Sequence, residues 1–104
     1  MKKVYNKLIR DKIPKIIENA GKDFKVETLN DKDYLASLIK KLQEELDEFS
    51  ESEEIKELAD LVEVIYAILE FKGVSLNEFE EIRLDKKNKR GGFEEKLFLV
   101  SVEK

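Results

Sequence analysis

Apolar residues recur at helical spacing along most of this chain. Leu35, Leu38, Ile39, Leu42, Leu46 and Phe49 fall on one stripe at about 100° per residue and predict a long helix ending near Ser50. Asn30 or Asp31 suits its start, because a short polar side chain can accept from the free backbone N–H groups there. The polar run Glu51 to Glu54 turns the chain, and a second long helix is predicted from about Glu53 to Lys72, closing at Gly73. Its main stripe is Ile55, Leu58, Val62, Ile65 and Leu69, while Val64, Ala67 and Phe71 make the other side apolar too. A helix apolar nearly all round is buried on several sides, within a bundle or at a subunit interface. A homo-oligomer, dimer or tetramer, is therefore expected.

Shorter elements flank this hairpin. Residues 13–20 read as a short helix, with Pro14 in its first turn and Gly21 placed to end it. Residues 24–29 (FKVETL) and 96–102 (KLFLVSV) alternate weakly and predict two short strands that pair as a small sheet. Ser75 and Glu78 form a capping-box pattern opening a further helix, with Phe79 and Ile82 expected inward and Gly91-Gly92 ending it. The whole pattern predicts one mainly α domain over residues 1–104: a helical bundle built on an antiparallel helix hairpin, with short terminal strands.

Composition narrows the chemistry. The chain holds no cysteine, no histidine and no tryptophan, which excludes disulfides, zinc fingers, cysteine nucleophiles and histidine bases together. Charged residues make up 42% and hydrophobic ones 41%, a charge-rich but foldable balance. No apolar run has the length of a signal peptide or a membrane span, so a cytoplasmic protein with no membrane partner is expected. The net charge of −4 argues against nucleic-acid binding, which favours a basic surface. The charges are uneven: residues 43–63 are strongly acidic, whereas the N-terminus and residues 83–90 are basic. An acidic centre between cationic ends suits a metal ion and a phosphorylated ligand.

The acids of the hairpin have a chelating pattern. Glu45 and Glu48 lie one helical turn apart on the first long helix, and Glu57 and Asp60 do so on the second. Glu45 flanks an apolar stripe. Glu57 and Asp60 share a side with Val64 and Phe71, where carboxylates are unfavourable unless they are paired or bind a cation. Oxygen donors without nitrogen or sulfur select Mg²⁺, or Mn²⁺. A solvated acidic face is the competing reading in a chain with 24 acids, and Glu44, Asp47 and Glu51 fall largely in that class. A di-iron bundle is excluded, because its Glu-x-x-His motifs have no histidine here.

At the cationic ends, Lys7, Arg10 and Lys12 precede the short helix, and Lys86, Lys89 and Arg90 close the last one beside Gly91-Gly92-Phe93. Glycines next to cations let backbone N–H groups approach a phosphate closely.

These blocks together resemble the all-α nucleoside triphosphate pyrophosphohydrolases, the MazG-like and phosphoribosyl-ATP pyrophosphohydrolase-like superfamily. The pattern E-E-x-x-E followed by E-x-x-D is matched by Glu44, Glu45 and Glu48 and by Glu57 and Asp60. The opening Asn6 to Pro14 and the closing Lys89 to Phe93 resemble a subgroup of small single-domain members. The eight residues between Glu48 and Glu57 make a shorter connection than in many relatives and leave less room for a base-recognition loop. The resemblance implies that Glu45, Glu48, Glu57 and Asp60 bind Mg²⁺, with Glu44 as an auxiliary acid. The implied reaction is hydrolysis of a nucleotide substrate between its α- and β-phosphates, giving a monophosphate and pyrophosphate. Glu45 or Glu48 would take the water's proton, and Lys86, Lys89, Arg90, Lys7 and Arg10 would bind phosphate. Candidates to stack on a base are Tyr5, Tyr34, Tyr66 and Phe93. The reading from another class is a non-catalytic helical module that binds a nucleotide or metal in a regulatory role.

Overall fold

A computed structural model describes residues 2–103 and contains four helices: α1 (Ile13–Asn19), α2 (Asp31–Ser52), α3 (Ile55–Phe71) and α4 (Leu76–Arg90). The start of each follows from local chemistry. Pro14 sits in the first turn of α1, where its missing N–H leaves no helix bond unmade. Asn30 is the cap of α2, its Oδ1 accepting from the Asp33 N–H at 2.8 Å. Ser75 and Glu78 form the capping box of α4, each side chain accepting from the other's backbone N–H, at 3.1 and 3.3 Å.

The connection between α2 and α3 is tighter than the sequence suggests. α2 runs on through Ser52, Glu53 takes a left-handed conformation (φ 57°), and Glu54 is already the cap residue of α3. Two residues therefore reverse the chain, and α3 returns antiparallel along α2. The far end of the hairpin is closed by an edge-to-face contact of Tyr34, at the start of α2, with Phe71, at the end of α3 (centroids 5.6 Å apart).

The faces of the hairpin are rotated from the predicted stripes. Among the described residues, Leu38 and Val64 are the buried apolar side chains, and Glu45 is the buried charged one. Ile39 and Leu46 on α2 are 57% and 44% exposed, and Ile55 and Val62 on α3 are 78% and 39% exposed. The apolar arcs are wider than one partner helix can cover, so the contact forms along one edge of each arc. α4 rests on α3 through Phe79 and Leu76, against Val62, Ile65 and Tyr66. Ile82, expected inward, is 53% exposed, because α4 meets α3 only along its first turns.

Neither predicted strand forms among the described residues. Residues 24–29 and 96–102 carry no regular structure, and Leu97, Phe98, Leu99, Val100 and Val102 are almost fully exposed. Two short, weakly alternating segments make at most a two-stranded ribbon, which is marginal in water without a third strand or a helix to pack on. No helix of the described residues is long and apolar enough to cross a membrane.

The left-handed Glu53 gives a direct test of the hairpin turn. Glycine adopts this conformation without the Cβ clash, and the gain there outweighs its greater chain entropy. Glu53→Gly should raise the stability by about 0.5–1 kcal/mol, read as a higher urea midpoint with an unchanged slope.

Candidate metal centre

The reversal after Ser52 sets the two acid pairs opposite each other. One carboxylate oxygen from each of Glu45, Glu48, Glu57 and Asp60 lies within 4.8 Å of every other. The helical rise puts Glu45 and Glu48 one turn apart on α2, and Glu57 and Asp60 one turn apart on α3. The two-residue connection then fixes the register between them. Glu57 also lies in the first turn of α3, where the helix dipole favours a negative charge.

The four acids differ in their surroundings. Glu45 is 6% exposed, and its Oε2 is buried with no hydrogen-bond partner. Burial first, and then the neighbouring Glu48 carboxyl, hold Glu45 above the usual carboxylate range, against the pull of Lys41. Glu48 is exposed, and Glu57 and Asp60 are half-buried. A buried, unpartnered oxygen on a carboxylate that neighbours three others is unfavourable by itself and fits a cation well. All the donors are hard oxygens, so the set suits a hard divalent ion.

Protein cations reach the rim of this cluster from two directions. Lys41, one turn before the acids on α2, lies 3.4 Å from Glu45 Oε1 and 3.5 Å from Glu44 Oε1. From the segment before α1, Lys7 Nζ reaches Glu44 Oε1 at 3.2 Å, and an Arg10 guanidinium nitrogen donates to Asp60 Oδ1 at 2.6 Å. Burial works to raise Glu44, but the hydrogen bond from Lys7 and the charges of Lys41 and Lys7 outweigh it and leave its carboxyl below the usual range. Glu48 and Glu57 have no cationic partner among the described residues.

Lys7 and Arg10 are thus brought to the acids, and Glu44 stands beside the cluster. Lys86, Lys89 and Arg90 are not joined to it by any ion pair among the described residues; they sit on the exposed last turns of α4, where Lys89 pairs with Asp85 at 3.1 Å. Lys41 is the participant that pattern reading misses, although a lysine three and four residues before an acid pair is a legible signal. Asp47 accepts from Gln43 (2.8 Å) and lies apart from the cluster, as expected of a solvated acid. Of the aromatic candidates, Tyr5 stands nearest this chemistry, with Lys7 over its ring at 5.8 Å. Tyr34 is engaged at the far end of the hairpin, Tyr66 lies in the groove beside α4, and Phe93 is 96% exposed.

Comparison of the chain with family models, with curated proteins and with solved structures gives no match.

Glu45 supplies a prediction whose sign is fixed. Its folded-state pKa is raised, so between the ordinary glutamate value and the raised one the folded chain holds a proton that the unfolded chain has lost. Metal-free stability should fall as pH rises through that window. Glu45→Gln should flatten this dependence and raise the metal-free stability above the window by about 1 kcal/mol, or about 4–8 °C in thermal unfolding for a domain of this size. The same variant should lose most of the stabilisation that Mg²⁺ gives the parent chain.

Proposed function

We propose that the chain is a Mg²⁺-dependent nucleotide pyrophosphohydrolase that cleaves between the α- and β-phosphates and releases a monophosphate and pyrophosphate. The observation that carries this reading is the set of four facing carboxylates, one of which, Glu45, has a buried and unpartnered Oε2. The cations at its rim support it further, because phosphoryl chemistry needs positive charge beside a metal. The resemblance of the acid blocks and both basic blocks to the all-α pyrophosphohydrolases points the same way.

In this reading Glu45, Glu48, Glu57 and Asp60 hold the metal, and Glu44 keeps Lys7 and Lys41 at the edge of the site. Bound there, Mg²⁺ polarises the phosphate and lowers the pKa of water. Of Glu45 and Glu48, the exposed Glu48, which lacks a cationic partner among the described residues, would take the water's proton. Lys7 and Arg10 offset the charge of the leaving pyrophosphate, and Lys86, Lys89 and Arg90, which the structure does not bring to the acids, would have to reach the phosphates from α4. Asp60→Asn keeps the shape of the side chain and removes one ligand charge. Pyrophosphate release from a panel of ribo- and deoxyribonucleoside triphosphates and phosphoribosyl-ATP should require Mg²⁺ and fall at least about a hundredfold in this variant. A folded, Mg²⁺-binding protein that releases none from any of them would favour the non-catalytic binding module.

The reading includes a second copy of the chain. The accessible surface of 9995 Å² is roughly 4,000 Å² more than size scaling gives for a folded monomer of 12.2 kDa. The radius of gyration is 18.5 Å, against about 13 Å for a compact chain of this length. An obligate interface removes about 1,000–2,500 Å² from each partner, so the excess leaves room for one, with the exposed residues 97–102 accounting for part of the remainder. The uncovered arcs of α2 and α3 would give it an apolar face. Wild-type protein should sediment as a dimer or larger assembly, and the double variant Ile39→Glu/Leu46→Glu should shift the mass towards a single chain.

A further inference from the structure

The charges at the acid cluster do not balance, and the imbalance is informative. Glu44, Glu45, Glu48, Glu57 and Asp60 contribute five negative charges when ionised, while Lys41, Lys7 and Arg10 contribute three positive ones. The remainder is two negative charges, the charge of one divalent ion. Two of the three cations belong to the segment before α1, far from the acids in sequence: Lys7 and Glu44 are 37 residues apart, and Arg10 and Asp60 are 50 apart.

This segment is held by its backbone and its apolar residues rather than by the ion pairs alone. Leu8 and Ile9 are half-buried, and the Arg10 carbonyl accepts from the Ile13 N–H at 3.1 Å, tying Arg10 to the first turn of α1. The ion-paired side chains are themselves mobile in principle: Arg10 and Asp60 are 55% and 41% exposed, and Lys7 is 40% exposed. Exposed ion pairs of this kind are weak. Both side chains can change partners while the segment stays in place.

We propose that Lys7 and Arg10 are displaceable counter-ions that set how many divalent ions the cluster holds. With Arg10 on Asp60 and Lys7 on Glu44, the net charge of the cluster accepts one ion. When a polyphosphate binds, both cations turn to its oxygens, the cluster loses two positive charges, and a second ion enters with the ligand. The nucleotide would thereby bring in a second ion by drawing the protein's own cations off the acids. This rests on the metal-dependent nucleotide reading above, which it extends from the identity of the ligands to the order in which they assemble.

The test counts ions. Calorimetric titration of the full chain with Mg²⁺ alone should give one ion per chain; with a non-hydrolysable α,β-methylene nucleoside triphosphate present it should give two. Lys7→Met/Arg10→Met keeps the apolar stems and removes both charges. This variant should bind two Mg²⁺ per chain without nucleotide, the first about two- to fivefold tighter than in the parent, and should bind the analogue more weakly. One ion of unchanged or weaker affinity in the variant would overturn the proposal. The sequence has three arginines, so the Arg10 Nε–Hε resonance, assigned through Arg10→Lys, gives a second readout on the unaltered chain. It should stay in place with Mg²⁺ alone and shift when the analogue is added; no shift with bound analogue overturns the exchange. Altered ion counts without pyrophosphate release would sink the hydrolase reading alone, whereas no Mg²⁺ binding at all would sink both.

Discussion

The structure turns on a repulsion. Four carboxylates within 4.8 Å of one another are unfavourable, and one of them has a buried oxygen without a partner. The packing of α2 on α3, through Leu38 and Val64 and the Tyr34–Phe71 contact, holds these charges against their own field. The fold thus does work at the acid end that a bound cation would return, the property that separates a preorganised ion site from an incidental acidic surface. The lysines and the arginine at the rim relieve part of this strain without entering the centre.

The same arrangement explains why one chain leaves so much apolar surface uncovered. Each long helix has an apolar arc wider than a hairpin needs, and the acids take up the other flank of the contact. A chain of this size cannot both bury a full core around itself and keep an open, charged cleft along one side of its main helices. The proposed pairing with another copy would resolve the conflict, covering the apolar flank while the acidic flank stays open.

Much of this was legible in the residues. The helices, the Ser75–Glu78 box and the facing acid pairs follow from rules that operate within a few residues, so spacing alone locates them. What failed involved choices between distant parts. The stripes of α2 and α3 gave the apolar arcs correctly but not which edge would be covered, and Val64, assigned to the lesser side, is the buried residue of α3. Ile82 read as inward because periodicity does not reveal where α4 leaves its neighbour. The strand-like segments 24–29 and 96–102 have a local alternation that nothing in the chain rewards with a partner. The contacts of Lys7 with Glu44 and of Arg10 with Asp60 span dozens of residues, and only the excess of acids hinted that they would be needed.

The two-residue turn at Glu53 and Glu54 makes the hairpin a pair of tongs joined at the acidic end. In such a device a given angle of opening moves the tips far and the region by the joint very little. Glu48 and Glu57 lie about one helical turn from the joint, whereas Tyr34 and Phe71 lie at the tips. Splaying of the helices, whether by thermal motion or by adjustment to a neighbour, therefore falls mostly on aromatic packing that tolerates sliding. The spacing between the acid pairs is thus insulated from it, and any ion held there would meet a nearly constant gap against which its size is judged.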